Sequence, residues 1–150
     1  MERNLVQTLI DETTLQAYRE TIYRVVGDDG FSLRIGVRHN FLARLIAEHG
    51  FGAAFITAYN PFSIPLPEKE NRGRHRALRE VLVSMRLNFL EGSGQHPSGD
   101  WMAEHSALVL GVTIEQARGI GAQFGQNAIV WVESDGVPKL VLLQNASNIG

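Results

Sequence analysis

FGAAFITAYNP, residues 51–61, is a short apolar run that stops abruptly in a polar turn, and the reading of the rest of the chain turns on it. As a strand it would place Phe55, Thr57 and Tyr59 on one face and Ala54, Ile56, Ala58 and Asn60 on the other. Both faces are largely apolar, the pattern of a central strand covered on both sides. Pro61 removes a ladder donor and is expected to hold Asn60 extended, so that the strand stops there.

Upstream, the side chains of residues 11–14 can cap a helix carrying Leu15, Tyr18, Ile22 and Val25 on one face, with Gly27 closing it. Asp28-Asp29-Gly30 marks a turn, because the spaced oxygen ligands of a calcium loop are missing. Phe31, Leu33, Ile35 and Val37 then alternate with polar or small residues as a half-buried strand. Asn40 is expected to cap a short helix with Phe41, Leu42, Leu45 and Ile46, ended by Gly50.

Downstream of Pro61, a helix is predicted from about Glu68 to Leu87, burying Ala77, Leu78, Val81, Leu82 and Met85. A brief strand at Asn88–Leu90 and a flexible connection over 91–100 lead to a strand from Trp101 to Val112. Thr113 caps a helix with Ile114, Ala117 and Ile120 that closes near Phe124-Gly125. Asn127 to Glu133 and Val137 to Leu143 read as a hairpin around the turn signal Ser134-Asp135-Gly136.

From Phe51 the order is strand, helix, strand, strand, helix, strand, which predicts an α+β fold. The expected core is a split βαβ (ferredoxin-like) antiparallel sheet with an added C-terminal hairpin strand and an N-terminal helix-strand-helix extension. Residues 1–50 would pack on a core of residues 51–143 in a single globular domain spanning 1–150, with 144–150 as a tail. A chain of 150 residues, 44% of them hydrophobic, suits one such core, which would bury roughly 70% of the unfolded surface.

Composition excludes some chemistry. There is no cysteine, so disulfides, thiolate nucleophiles and cysteine-ligated metal centres are ruled out. A formal charge of −2 gives no global attraction to nucleic acid or anionic membranes. Residues 1–10 hold no continuous apolar run, and no transmembrane-length apolar run occurs anywhere, so a cytoplasmic protein with no membrane partner is expected.

In the split βαβ packing the first strand runs antiparallel to the third and fourth, so Asn60, the helix start at Asn71, the 92–100 loop, Trp101, Glu104, Ser106, Gln126 and Asn127 fall at one end of the sheet. Glu104, next to Trp101 and apolar side chains, is the candidate catalytic residue, as a general acid or base with a raised pKa. Thr57, Asn60, Asn71, Arg72, Trp101, Ser106, Gln126 and Asn127 are the candidate ligand contacts. Glu104, His105 and Ser106 do not form a triad, because a flat strand sends His105 to the opposite face. No spaced His and carboxylate cluster points to a metal, and no cofactor is implied.

Ile56-Thr57-Ala58-Tyr59-Asn60-Pro61, Glu70-Asn71, Trp101, Glu104-x-Ser106 and Phe124-Gly125-Gln126-Asn127-Ala128 occur together in this order. In these motifs the chain resembles a family of small bacterial proteins catalogued as a domain of unknown function. The resemblance runs from about Gly50 to Leu143, and the N-terminal helix and strand match it less clearly. It implies a shared fold and a shared site, and carries no established activity.

Three functions stay open at this point. The first is binding or conversion of a small polar metabolite or nucleotide-like ligand at the Asn60 end, as an enzyme or a sensor. The second is phosphate or nucleic-acid binding through the Arg72–Arg79 helix face; its compensating Glu68, Glu70 and Glu80 make a solvated face the simpler reading. The third is an interaction module, including homodimerisation, that uses an exposed edge strand at Val137–Leu143. The same polar side chains would also serve structure alone, with Asn60 capping the turn and Gln126 satisfying backbone groups.

Overall fold

The computed structural model describes residues 12–27, 30–99 and 102–143. The Asp11 cap, the Asp28-Asp29 turn, Trp101 and the 144–150 tail expected from sequence lie outside them. The described residues form a mixed α+β structure with one seven-stranded sheet and four α-helices.

Strand β3 (Gly52–Thr57) runs through the middle, buried at every position before Thr57. It pairs antiparallel with β5 (Glu104–Val112) on one side and with β6 (Ala128–Val132) on the other. Beyond β5 lie β4 (Asn88–Gln95), β1 (Ile22–Val25) and β2 (Phe31–Leu33), and beyond β6 lies β7 (Pro138–Leu142). The full order is β2-β1-β4-β5-β3-β6-β7, with every neighbouring pair antiparallel.

The alternation read in β3 sorts the core onto two faces. Ala54 and Ile56 join Ala107, Val109, Ile129 and Trp131 under Leu78 and Leu82 of α3 (Glu68–Ser84) and Ala117 and Ile120 of α4 (Ile114–Gln123). Ala53 and Phe55 join Leu108, Leu110, Val130 and Val132 under Leu42 and Ile46 of α2 (Asn40–His49). Helix α4 starts at a full capping box: Thr113 accepts from the Gln116 backbone while the Gln116 side chain accepts from the Thr113 backbone.

The sheet curls around the α2 face. Just past β2, Gly36 N donates to Pro138 O of β7 at 2.9 Å, and His39 N donates to Gly136 O at 2.9 Å. The two edges of the sheet are therefore tied together at one end. Part of the unpaired edge that the sequence offered for a partner chain at Val137–Leu143 is thus met within the chain itself.

Several expectations are corrected. The first helix, α1 (Glu12–Glu20), ends before Ile22, and Ile22–Val25 is a strand in which Tyr23 and Val25 are buried while Arg24 is exposed. Its β-branched residues suit a strand, and β4 supplies the partner. The N-terminal segment is thus built into the sheet through β1 and β2. Strand β2 stops at Leu33, since Gly36 turns the chain at φ 84°. The α2 cap is His39, whose Nδ1 accepts from Leu42 N at 3.2 Å, rather than Asn40. Helix α3 ends at Ser84, and Ala77 and Met85 are exposed.

The largest correction concerns Gly92 to Gln95, expected as loop but forming the second half of β4. A Cβ on Gly92 would lie 2.7 Å from Arg24 O and 2.9 Å from the Phe55 ring. The glycine is there because β1 and Phe55 pack directly on the backbone. Gly92→Ala should therefore lower the unfolding free energy by about 1–3 kcal/mol, the usual cost of overpacking, as measured by urea denaturation.

Candidate functional site

The concave face keeps a cavity of about 480 Å³ at the end of the sheet where β3 finishes, opposite the end filled by α2. Tyr23, Phe55, Val130 and Leu140 give it an apolar floor spanning β1 to β7. Ala17 and Tyr18 of α1, together with Ser63, Pro65 and Leu66 of the loop after β3, form its cover.

That loop is held in an unusual conformation. Asn60 is left-handed at φ 46° and ψ 65° rather than extended, and Phe62 and Ser63 also have positive φ. Asparagine is among the few residues that adopt this region readily, and here its side chain is fully engaged. Asn60 Oδ1 accepts from Leu66 N at 3.0 Å and from Asn71 Nδ2 at 2.8 Å. Asn60 N in turn donates to Asn71 Oδ1 at 2.9 Å. The two amides form a reciprocal pair that fixes the loop to the first turns of α3. Asn71, 3% exposed, also donates to Leu66 O at 3.2 Å.

The remaining Asn60 donor reaches Glu104, with Nδ2 to Oε2 at 2.8 Å. Among the described residues this is the only hydrogen bond to the Glu104 carboxylate, and no lysine, arginine or histidine pairs with it. Burial pushes the Glu104 carboxyl above its ordinary value, and the Asn60 hydrogen bond offsets only part of that rise. Burial also raises the Tyr23 and Tyr59 phenols, which donate to Tyr18 O at 2.9 Å and to Glu68 Oε1 at 2.8 Å.

Of the residues singled out from sequence, Thr57, Asn60, Asn71, Glu104, Ser106 and Gln126 all line the cavity. Thr57 Oγ1 donates to His105 O at 2.7 Å, and Ser106 Oγ to Glu104 O at 3.0 Å. Gln126 Nε2 satisfies Tyr59 O at 3.1 Å and Phe124 O at 3.2 Å, so it braces the strand end as well. Arg72 is exposed and does not line the cavity, and Asn127 is used on the loop, donating to Ser63 Oγ at 2.9 Å.

The arginines of α3 do not form one continuous solvent-facing patch. Arg74 turns inward, with Nε donating to Ala58 O at 2.6 Å and Nη2 to Phe124 O. Arg79 Nε lies 3.3 Å from Glu91 Oε2. His105 lies on the α3 face, between the Tyr59 and His75 rings, away from Glu104. Among the described residues no group of three His, Asp or Glu side chains could hold a metal ion.

Sequence reasoning missed the cover. Thr14 and Tyr18, one turn apart on α1, were the available signal, but nothing local shows that this helix closes over a distant strand end. The Tyr18 and Ser63 hydroxyls, 3.1 Å apart, link the two parts of that cover.

Residues 56–129 match the model of a family described as a protein of unknown function (DUF3293). No curated protein and no solved structure matches the chain. The matched span runs from β3 into β6 and contains Thr57, Asn60, Asn71, Glu104, Ser106 and Gln126. Tyr18, Tyr23 and Leu140 lie outside it.

Two outcomes follow from the geometry. Asn71→Ala strands Asn60 N, removes one of the two bonds to Asn60 Oδ1 and should lower the unfolding free energy by about 2–4 kcal/mol in chemical denaturation. Glu104 has a folded-state pKa above its ordinary 4.5, so the folded form holds its proton more tightly than the unfolded chain. Its contribution to stability is complete below pH 4.5 and is lost as pH rises through the raised value. Glu104→Gln, which carries no charge, should gain in melting temperature relative to wild type over that rise, with the difference smallest in acid; calorimetry across pH checks this.

Proposed function

We propose that this protein binds a small polar metabolite, of the size of a nucleobase or an amino-acid derivative, in the cavity at the Asn60 end of the sheet. Where the ligand is converted, Glu104 is its general acid or base. The observation that carries this reading is Glu104 itself: a carboxylate in a largely apolar cavity, hydrogen-bonded by Asn60 and, among the described residues, paired with no cation. A charge kept in such a place costs stability unless something arrives to use it. The cavity volume of about 480 Å³ lies within the usual range for small-ligand sites.

We further propose that the chain is a member of the family matched over residues 56–129, and that its core is of the split βαβ, ferredoxin-like type. The order β4-β5-β3-β6 supports the latter, with β3 parallel to β4 across β5, and with α3 and α4 on one face. The arginine-face reading is weaker, because Arg74 is spent on backbone carbonyls and Arg79 on Glu91.

The test is a thermal-shift screen of the wild-type protein and Glu104→Gln against a metabolite library. A ligand of the folded state raises the melting temperature by several degrees once it is about 100-fold above its Kd. At least one hit whose shift shrinks in Glu104→Gln is expected. A screen with no hits, or with hits indifferent to the substitution, would overturn the reading.

A further inference from the structure

The hydrogen-bond inventory of the cavity says what kind of ligand it can accept. Around Glu104 most side-chain hydrogens are already committed. Thr57, Ser106, Tyr23 and Tyr59 each donate their hydroxyl hydrogen to a protein acceptor. The amide nitrogens of Asn71 and Gln126 each donate twice within the protein. A hydroxyl that has given its hydrogen away still has lone pairs to offer, and a carboxylate offers only lone pairs.

The charges agree. Glu104 and Glu68 line the cavity; among the described residues no lysine or arginine does, and His96 on its wall lies 3.0 Å from Glu20 Oε1. A phosphate or carboxylate entering here would meet negative charge and few uncommitted donors beside Glu104. A cation would find the Glu104 oxygens, and beside them the Tyr23 and Phe55 rings, packed edge to face with centroids 5.2 Å apart. Aromatic faces stabilise a desolvated cation and accommodate the apolar body attached to it.

We infer that the cavity takes an organic cation, a protonated amine or amidinium on an apolar body, with its charge against Glu104. This rests on the small-ligand reading above and narrows it: anionic metabolites, including phosphorylated nucleotides, are disfavoured beside Glu104. The cation would also stabilise the ionised form of Glu104, which burial alone disfavours.

The experiment titrates the full-length protein calorimetrically with three probes of similar shape: phenethylamine, 2-phenylethanol and 3-phenylpropionate. At neutral pH these present an ammonium, a hydroxyl and a carboxylate. The ammonium is expected to bind about tenfold tighter than the alcohol or better, as a charge-assisted hydrogen bond would give, with the carboxylate weakest. In Glu104→Gln, an isosteric change that keeps an acceptor for Asn60, that advantage should disappear.

Equal or tighter binding of the alcohol or the carboxylate overturns the inference without recourse to any variant. So does an ammonium preference that survives in Glu104→Gln. If none of the three binds while the library screen returns a Glu104-dependent hit of another chemistry, the cation inference falls and the ligand pocket stands. If the screen is empty too, both fall.

Discussion

The reciprocal amide pair between Asn60 and Asn71 is the interaction on which the site depends. A strand that ends in a left-handed turn carries a conformational cost, and two further positive-φ residues follow it within three positions. The pair offsets that cost with four hydrogen bonds, made between the two residues and to Leu66. With Oδ1 occupied by this pairing, the Asn60 Nδ2 is set toward Glu104. Loop, helix and carboxylate are thereby held by one side chain. The strain lies where the fold needs rigidity, over the mouth of a cavity rather than in its floor.

The curl of the sheet supplies the other half of the arrangement. A flat sheet with these strands would have exposed one apolar face, since α2, the helix packed into that core, is shorter than the sheet is wide. Curling brings β7 toward β2 and lets one short helix fill one end of the concave side. What α2 does not fill remains as the cavity. Site and core thus share one surface, divided by where Leu42 and Ile46 stop and Tyr23, Phe55 and Glu104 begin.

What was legible in the sequence was what is written locally. The two-sided apolar pattern of residues 51–58 identified a central strand, Thr113 identified a helix start, and residues 134–136 identified a hairpin. The convergence of Glu104, Asn60, Asn71, Ser106, Gln126 and Thr57 on one cavity followed from the relative directions of these strands. The errors arose where distant partners decide. Ile22 and Val25 fit a helical spacing as well as a strand, and pairing with β2 and with Gly92 to Gln95 of β4 selects the strand. Those same glycines read as loop because local propensity does not register a strand and a phenyl ring pressed onto the backbone. Asn60 was read as extended from the proline after it, while its own side-chain bonding, set by Asn71, decided otherwise.

The pairing of β1 with β4 also bears on the order of assembly. Tyr23 leaves the ribosome early and can pair with Leu33 of β2, yet its other neighbour in the sheet is Gly94. Until that residue has been made, the β1–β2 pair has no larger sheet to join. Closing so long a loop is a slow step for any chain. The segment carrying α1 and β1 is therefore late to find its place, and because it brings the cover, the cavity becomes a closed site only after β4 is built.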